Sequence, residues 1–252
     1  MHARCIRMFI SLALMICVGD CRKGVEGDQI PPAPPVVLPS PAPTSPIERG
    51  IDAVPDWDRI RLEWIVGEER DLAGYEIYRR QEDRLAEKRI AVLQIEEIKE
   101  VAPDTAFWVD EEVSLQVRYI YTLRAFDRDG NLSDSSKPVD YLLLPKVIPE
   151  APQGDVEEER PVFVFYWGDD SSAAVRFVVK VITPDRRYLW ISDPAANPRQ
   201  QYDVRPERIV YNADGGAEVD SLEPGEYRWR VDSMGAPPHS GSESRWVSFR
   251  VG

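Results

Sequence analysis

Residues 119–136 read YIYTLRAFDRDGNLSDSS, an alternating apolar run followed directly by a polar segment. Tyr119, Tyr121 and Leu123 are separated by single residues, which is the spacing that places side chains on one face of a β-strand. The segment that follows is rich in Asp, Asn, Gly and Ser, the residues that favour tight turns. We therefore predict a half-buried strand that ends in a turn and leads to an antiparallel neighbour.

The acidic residues of this turn also raise the alternative of a calcium-binding loop. Counted from Asp127, the ligands at positions 1, 3 and 5 of such a loop would be Asp127, Asp129 and Asn131. Leu132 stands where the loop requires glycine, and Pro138 stands where it requires glutamate. The register favours a turn, and we predict neither a metal site nor a cofactor.

Period-two alternation recurs elsewhere in this half of the chain. Residues 59–64 read RIRLEW and residues 74–78 read GYEIY, and both segments alternate polar with apolar side chains. Residues 83–101 show no clear period, and we predict mostly strand and loop there. The pattern indicates an all-β fold with antiparallel sheets that bury one face.

Three segments, taken in order, resemble a fibronectin type III domain: DRIRLEWIVGEERDLAGYEIYRR, TAFWVDEEV and YIYTLRAFDRDGNLSDSS. In that family the second strand carries a core tryptophan, which Trp64 matches. The third strand carries a pattern that residues 74–79 match, and the sixth carries one that residues 119–125 match. The resemblance covers residues 47–145 and implies an immunoglobulin-like β-sandwich.

The second half of the chain, residues 146–252, repeats this order less closely. Residues 225–231 resemble the sixth strand of the family and residues 245–251 resemble the last, whereas residues 193–207 form an insertion. Matching aromatic residues recur after about one hundred positions, a domain-sized period that indicates a duplicated sandwich. We predict two tandem fibronectin type III-like domains, over 47–145 and 146–252.

The first 21 residues have the layout of a secretion signal. Arg4 and Arg7 precede an apolar stretch, residues 8–18, that is too short for a comfortable membrane span. VGDC at the end of this segment resembles a bacterial lipobox, although Asp20 departs from the small residue usual at that position. The resemblance implies a lipid on Cys21 and a membrane-anchored protein of a bacterial envelope, at the outer membrane or cell surface. A plain signal peptide and an uncleaved anchor are the alternatives.

A proline-rich segment follows the signal. Residues 31–46 read PPAPPVVLPSPAPTSP, a composition that favours extended polyproline II geometry over a packed core. We predict that residues 22–46 form a disordered, semi-rigid stalk between the anchor and the first domain. A ligand for a proline-binding module is the alternative.

The composition excludes several classes of function. The formal net charge is −13, and neither half is basic, so nucleic acid is not a predicted partner. The cysteines are Cys5, Cys17 and Cys21, and the histidines are His2 and His239, which leaves too few groups for a zinc centre or a histidine triad. Dinucleotide, P-loop and hydrolase motifs are absent from the sequence. The chain is predicted not to be an enzyme.

Five residues form the candidate binding surface. Tyr188 and Trp190 are two positions apart and would share a face of a strand, either as a stacking platform for a sugar ring or as buried core. The other three are Arg228, Arg230 and Trp246. If their strands pair, Trp246 would stack between the two arginines by cation–π contact, as part of a surface or as a hot spot for a partner.

These features together predict a non-catalytic envelope lipoprotein. It would act as a protein-binding or spacer module, anchored to the membrane through Cys21, with an unknown protein or glycan as its partner. The alternative function is an accessory carbohydrate-binding module associated with polysaccharide processing. Fold alone does not discriminate between them.

Overall fold

The computed structural model describes residues 29–102, 104–167, 174–195, 206–236 and 238–252. The signal segment and Cys21 lie outside these residues. Within them the chain is all-β, with a single short 3-10 turn at Ile95–Glu97, which confirms the predicted fold class. No helix in the described part of the chain is long and apolar enough to cross a membrane.

The first half folds as two sheets that face each other. One sheet has the order β5–β4–β8–β9. In the other sheet, β3 pairs on one side with β7, which also pairs with β6. On its other side β3 pairs with both β1 and β2. The bounds are β1 Val36–Val37, β2 Ile51–Val54, β3 Trp57–Ile65, β4 Leu72–Gln81, β5 Lys88–Gln94, β6 Lys99–Ala102, β7 Thr105–Asp110, β8 Arg118–Asp127 and β9 Val139–Leu143.

Apolar side chains from alternate positions fill the space between these sheets. Trp64 on β3 is fully buried, as the family resemblance implied, and meets Tyr75 of β4 edge-on with ring centroids 5.4 Å apart. Tyr121 and Leu123 of β8 are also fully buried. The period-two pattern therefore marks the inward face of each strand, because one face of each sheet is removed from water.

The proline-rich segment is part of the first sandwich, so the prediction of a disordered stalk over 22–46 is wrong for its later residues. Val36 and Val37 pair with Ile65 and Trp64 of β3. The Leu38 amide extends this ladder by donating to the carbonyl of Glu63 at 2.9 Å. Two adjacent valines between prolines supply the free backbone groups and β-branched side chains that an edge strand needs.

The second half repeats the arrangement. One sheet has the order β10–β12–β15; in the other, β14 pairs with β13, β13 with β16, and β16 with both β17 and β18. The bounds are β10 Ile148–Ala151, β11 Gly154–Val156, β12 Val162–Tyr166, β13 Ala174–Ile182, β14 Tyr188–Ile191, β15 Glu207–Val210, β16 Gly225–Gly235, β17 Ser240–Glu243 and β18 Val247–Val251. Phe163 and Trp229 pack at the centre of this core, with ring centroids 4.9 Å apart.

The two sandwiches are joined edge to edge. β9 pairs in parallel with β17, so that one sheet runs from β5 through both halves. The amides of Leu142 and Leu144 each donate across this junction at 2.9 Å, to the carbonyls of His239 and Gly241. Leu143 packs in the first core, whereas Leu144 packs in the second. The last residue of β9 and the residue after it thus anchor both halves.

Candidate functional site

A β-bulge separates Tyr188 from Trp190. Tyr188 pairs with Ile182 and Trp190 pairs with Val181, which leaves Leu189 as the extra residue of β14. Two residues of β14 therefore lie opposite one residue of β13, which shifts the alternation of side chains by one position. The side chains of Tyr188 and Trp190 consequently lie on opposite faces of the strand. The prediction that they share a face is therefore wrong.

Trp190 belongs to the core and not to the candidate binding surface. Its side chain is 2% exposed, and its ring lies 5.4 Å from that of Tyr211. Its indole Nε1 donates to Asp214 Oδ1 at 2.9 Å. The core alternative holds for Trp190, whereas Tyr188 is half-buried on the outer face, near Lys180 and Glu48.

Trp246 stacks with two arginines, as the strand periodicity predicted. The guanidinium carbons of Arg228 and Arg230 lie 5.8 Å and 4.9 Å from its ring centroid. Arg228 and Trp246 are half-buried, but Arg230 is only 1% exposed. Arg230 is therefore not available as a surface contact, and its assignment to the binding surface is wrong. Arg228 and Trp246 remain predicted residues of that surface.

The Asp127 turn is closed by its own hydrogen bonds. Asp127 Oδ1 accepts from the amides of Asp129 at 3.0 Å and Asn131 at 2.8 Å, and Oδ2 accepts from Asn131 Nδ2 at 2.8 Å. Burial raises the pKa of the Asp127 carboxyl, but these hydrogen bonds outweigh it and hold the pKa below its ordinary value. Gly130 has φ of +87°, as tight turns require. The arrangement confirms a turn between β8 and β9.

A cluster of buried charges lies where the two sandwiches meet. Lys180 Nζ lies 2.7 Å from Glu48 Oε1 and 2.8 Å from Asp232 Oδ2. Arg230 binds the same Glu48 oxygen, Asp232 at 2.9 Å and Glu243 at 2.6 Å. Glu48 comes from the segment before β2, whereas the other four residues come from β13, β16 and β17. The charge of Glu48 thus links the first sandwich to the second.

The pKa shifts of the cluster follow from burial and from these ion pairs. Burial raises the pKa of the Asp232 carboxyl, but Arg230 and Lys180 together hold it below its ordinary value. Burial opposes the charge of Lys180, yet Asp232 and Glu48 keep its pKa above the ordinary value. For Glu243, burial and the neighbouring Asp232 both raise the pKa. The ion pairs therefore stabilise some charges of the cluster, while Glu243 favours its protonated form.

Asp52 of β2 extends the cluster on the side of the first sandwich. Its Oδ1 accepts from Tyr141 Oη at 2.9 Å and from the amide of Ala53 at 2.8 Å. Burial, added to the charges of Asp232 and Glu48, outweighs these bonds and raises the pKa of Asp52 to about 6. Asp52 therefore changes its charge near neutral pH.

A cleft of about 670 Å³ opens beside this cluster. Its walls come from both sandwiches and from the proline-rich segment, and they include Pro41, Ile47, Asp52, Tyr141, Arg176 and His239. Carboxylates and cations face the same space, so the cleft has no dominant charge that would select one ligand.

Three carboxylates of the cluster are close enough together to suggest a metal site. Oxygens of Glu48, Asp232 and Glu243 lie within 4.8 Å of one another. Lys180 and Arg230 already bind oxygens of these groups and balance two of their three negative charges. The arrangement is an internal ion-pair cluster, and it does not need a cation.

Comparison with known proteins does not assign the chain to a family. No family model matches the chain, and no curated protein matches it. Among solved structures, the chain is similar to chicken CNTN1 domains FN1–FN3, with 12% identity, 88% of this chain and 67% of that chain covered, and a TM-score of 0.30. That score is too low to assign the fold. The fold assignment follows from the strand order and the two cores.

Of the charge cluster, only Arg230 was among the predicted site residues. Lys180 interrupts the apolar run VRFVVKVI, and Asp232 follows the buried Val231. A charged residue within an apolar strand is the signal that could have indicated buried ion pairs, because such charges are rarely buried unpaired. Glu48 gives no such signal, since it lies in a polar, proline-rich context.

Proposed function

We propose that the chain is a non-catalytic, lipid-anchored protein of a bacterial envelope that acts as a protein-binding or spacer module. The observation that carries the proposal is the junction between the two sandwiches, formed by the β9–β17 pairing and by the buried charges around Arg230. Two domains that share a sheet in this way set a distance and an orientation for the surface that they present. The domain bounds of 47–145 and 146–252 stay a prediction, and β1 at Val36–Val37 adds an edge strand before the first of them.

The half-buried surface of Trp246 and Arg228 is the proposed contact for a protein partner. A stacked indole and guanidinium offer a large, preorganised contact area, and Trp and Arg are enriched in binding hot spots. The glycan-binding alternative depended on an exposed Tyr188–Trp190 pair. Because Trp190 is buried, that alternative loses the observation on which it rested.

The partner proposal can be tested by affinity capture from an envelope extract. We expect Trp246→Ala to lose the proteins that the unchanged chain retains, while thermal melting shows that the variant is folded. Trp57→Ala is the matched control, because Trp57 also contacts an arginine, Arg59, at 5.1 Å and is 60% exposed in the first sandwich. Equal capture by both variants would remove Trp246 from the binding surface and leave the spacer function.

The proposed lipid anchor has a direct chemical test. After expression in a bacterium, the mature chain should begin at Cys21 and carry the added mass of two or three acyl chains, as measured by intact mass spectrometry. Attached acyl chains should hold it in the membrane fraction, and Cys21→Ser should abolish both the modification and the retention. An intact, unmodified bond between Asp20 and Cys21 in the exported protein would contradict the anchor.

A further inference from the structure

The edge strand of the first sandwich is interrupted by a loop that reaches the second sandwich. Val37 and Leu38 pair with β3, and residues 39–49 then form a loop away from that strand. The chain pairs with β3 again from Gly50 onwards, through β2. We name residues 39–49 the strap. Ser40 Oγ closes the base of the strap by donating to the carbonyl of Ile51 at 2.8 Å and accepting from its amide at 3.2 Å.

The return point of the strap has no room for a side chain. Gly50 has φ of +80°, and a Cβ atom there would lie 2.6 Å from the carbonyl oxygen of Leu38. The Gly50 amide donates to Glu63 Oε2 at 3.2 Å, and the Glu63 amide donates to the Gly50 carbonyl at 2.9 Å. Because both ends of the strap are fixed on the first sandwich, the position of Glu48 is also set by that sandwich.

Glu48 is the residue of the strap that binds the second sandwich. One of its oxygens contacts both Lys180 and Arg230, which are almost fully buried. The junction also contains Lys146, whose Nζ donates to the carbonyls of Val54 at 2.8 Å and Glu243 at 3.0 Å. The two sandwiches are therefore held by an ionic contact in addition to the β9–β17 ladder.

The charges that meet at this junction do not cancel when every carboxyl group is ionised. Four carboxylates face one another from four elements: Glu48 of the strap, Asp52 of β2, Asp232 of β16 and Glu243 of β17. The cations that face them are Lys180 of β13, Arg230 of β16 and Lys146 between β9 and β10. Arg176 and the imidazole of His239 lie further along the cleft. Tyr141 of β9 contributes the neutral hydroxyl bound to Asp52.

Protonation of one carboxyl group would restore the balance. With Asp52 neutral, the charges of Glu48, Asp232 and Glu243 match those of Lys180, Arg230 and Lys146. Ionisation of Asp52 adds a negative charge beside Glu48 and Asp232 in a partly desolvated place, where repulsion is stronger than in water. We propose that the strap is a charge-operated latch: it binds the second sandwich tightly when Asp52 is protonated and loosens when Asp52 is ionised.

The direction of the pH dependence follows from the raised pKa of Asp52. In the closed state this pKa is about 6, whereas in an open, solvated state it would return towards the ordinary value of 3.8. Between these values the closed state binds a proton that the open state releases, so that acidification favours closure. Between pH 7.5 and pH 5 the shift changes the opening equilibrium about tenfold. The raised pKa of Glu243 acts in the same direction.

Hydrogen–deuterium exchange of the full chain, read by mass spectrometry, tests the latch. We expect peptides covering the strap and the Leu142–Leu144 amides to exchange about tenfold faster at pH 7.5 than at pH 5, after correction for intrinsic rates. Core peptides around Leu123 and Phe163 serve as internal references. Equal protection of the strap at both pH values would overturn the proposal.

Asp52→Asn isolates the charge from the structure. The Asn carbonyl can accept the same hydrogen bonds from Tyr141 and Ala53 but never ionises, so the variant should show a much smaller pH difference and stay more closed at pH 7.5. Asp134→Asn, which removes an exposed carboxylate far from the strap in sequence, should keep the difference. A full pH difference in Asp52→Asn would refute the role of Asp52.

Glu48→Gln provides an independent test if Asp52→Asn does not fold. It removes the charge by which the strap binds Lys180 and Arg230 but leaves both hydrophobic cores unchanged. We expect faster exchange of the strap at both pH values with the core references unaffected. A strap that stays as protected as in the unchanged chain would show that Glu48 is not the latch.

Discussion

Replacing Arg230 by methionine is expected to lower the free energy of unfolding of the second sandwich by about 3–5 kcal/mol, the cost of removing one partner from a buried ion-pair network. Arg230 is 1% exposed and contacts carboxylates of Glu48, Asp232 and Glu243. Methionine preserves much of the apolar stem but leaves these carboxylates short of positive charge. Urea denaturation monitored by tryptophan fluorescence at pH 7.5 measures the loss.

Arg228→Met is the matched control for this change. Arg228 lies two residues earlier on the same face of β16, also contacts Trp246, and forms no ion pair with any other described residue. Its replacement should cost about 1 kcal/mol or less. The effect of Arg230→Met should shrink at pH 5, because protonated carboxyl groups no longer require a counter-charge. Equal losses for the two variants would show that the network contributes no more than a half-buried arginine without an ion pair.

Replacing Trp190 by alanine is expected to destabilise the second sandwich by about 3–5 kcal/mol. The substitution empties a space next to Phe163 and Tyr211 in the core and removes the indole donor of the bond to Asp214. Asp214 also accepts from the Asp193 amide at 2.6 Å, so the loss of the indole should loosen the loop after β14 as well. Urea denaturation gives the free energy, and near-ultraviolet circular dichroism reports the core.

Tyr188→Ala separates the core interpretation of Trp190 from the surface interpretation. Tyr188 lies on the other face of β14 and is half-buried, so its replacement should cost about 1 kcal/mol, typical of a substitution outside the core. If both residues formed an exposed platform, the two variants would be about equally stable. Small losses from both substitutions would therefore contradict the bulge and the burial of Trp190.

The sequence was informative wherever the relevant contact is local or follows the strand period. Alternation in residues 119–125 marks the buried face of β8, and the residues after it form the expected turn around Asp127. The stack of Trp246 on two arginines was also predictable, because it requires only that β16 and the last strand pair in the expected register. These features depend on side-chain direction within one strand or between two neighbours.

The same alternation led to a wrong prediction of the face on which Trp190 lies. Its alternation with Tyr188 is regular in the sequence, but the one-residue bulge at Leu189 reverses the face of every later side chain on β14. At the bulge β14 pairs with β13, and Trp190 also binds Asp214 from a separate loop. No local pattern in the sequence specifies these contacts.

The junction between the sandwiches could not be predicted from the sequence, for a different reason. Composition alone assigned the proline-rich segment to a free stalk, yet two valines in it complete an edge strand and Glu48 meets Arg230, which is 182 positions away along the chain. Alternation and turn residues predicted the strands, and the family resemblance implied the sandwich. Tertiary packing established the strap, the shared sheet and the charge of Asp52, because burial and pKa depend on which distant groups come together in the folded chain.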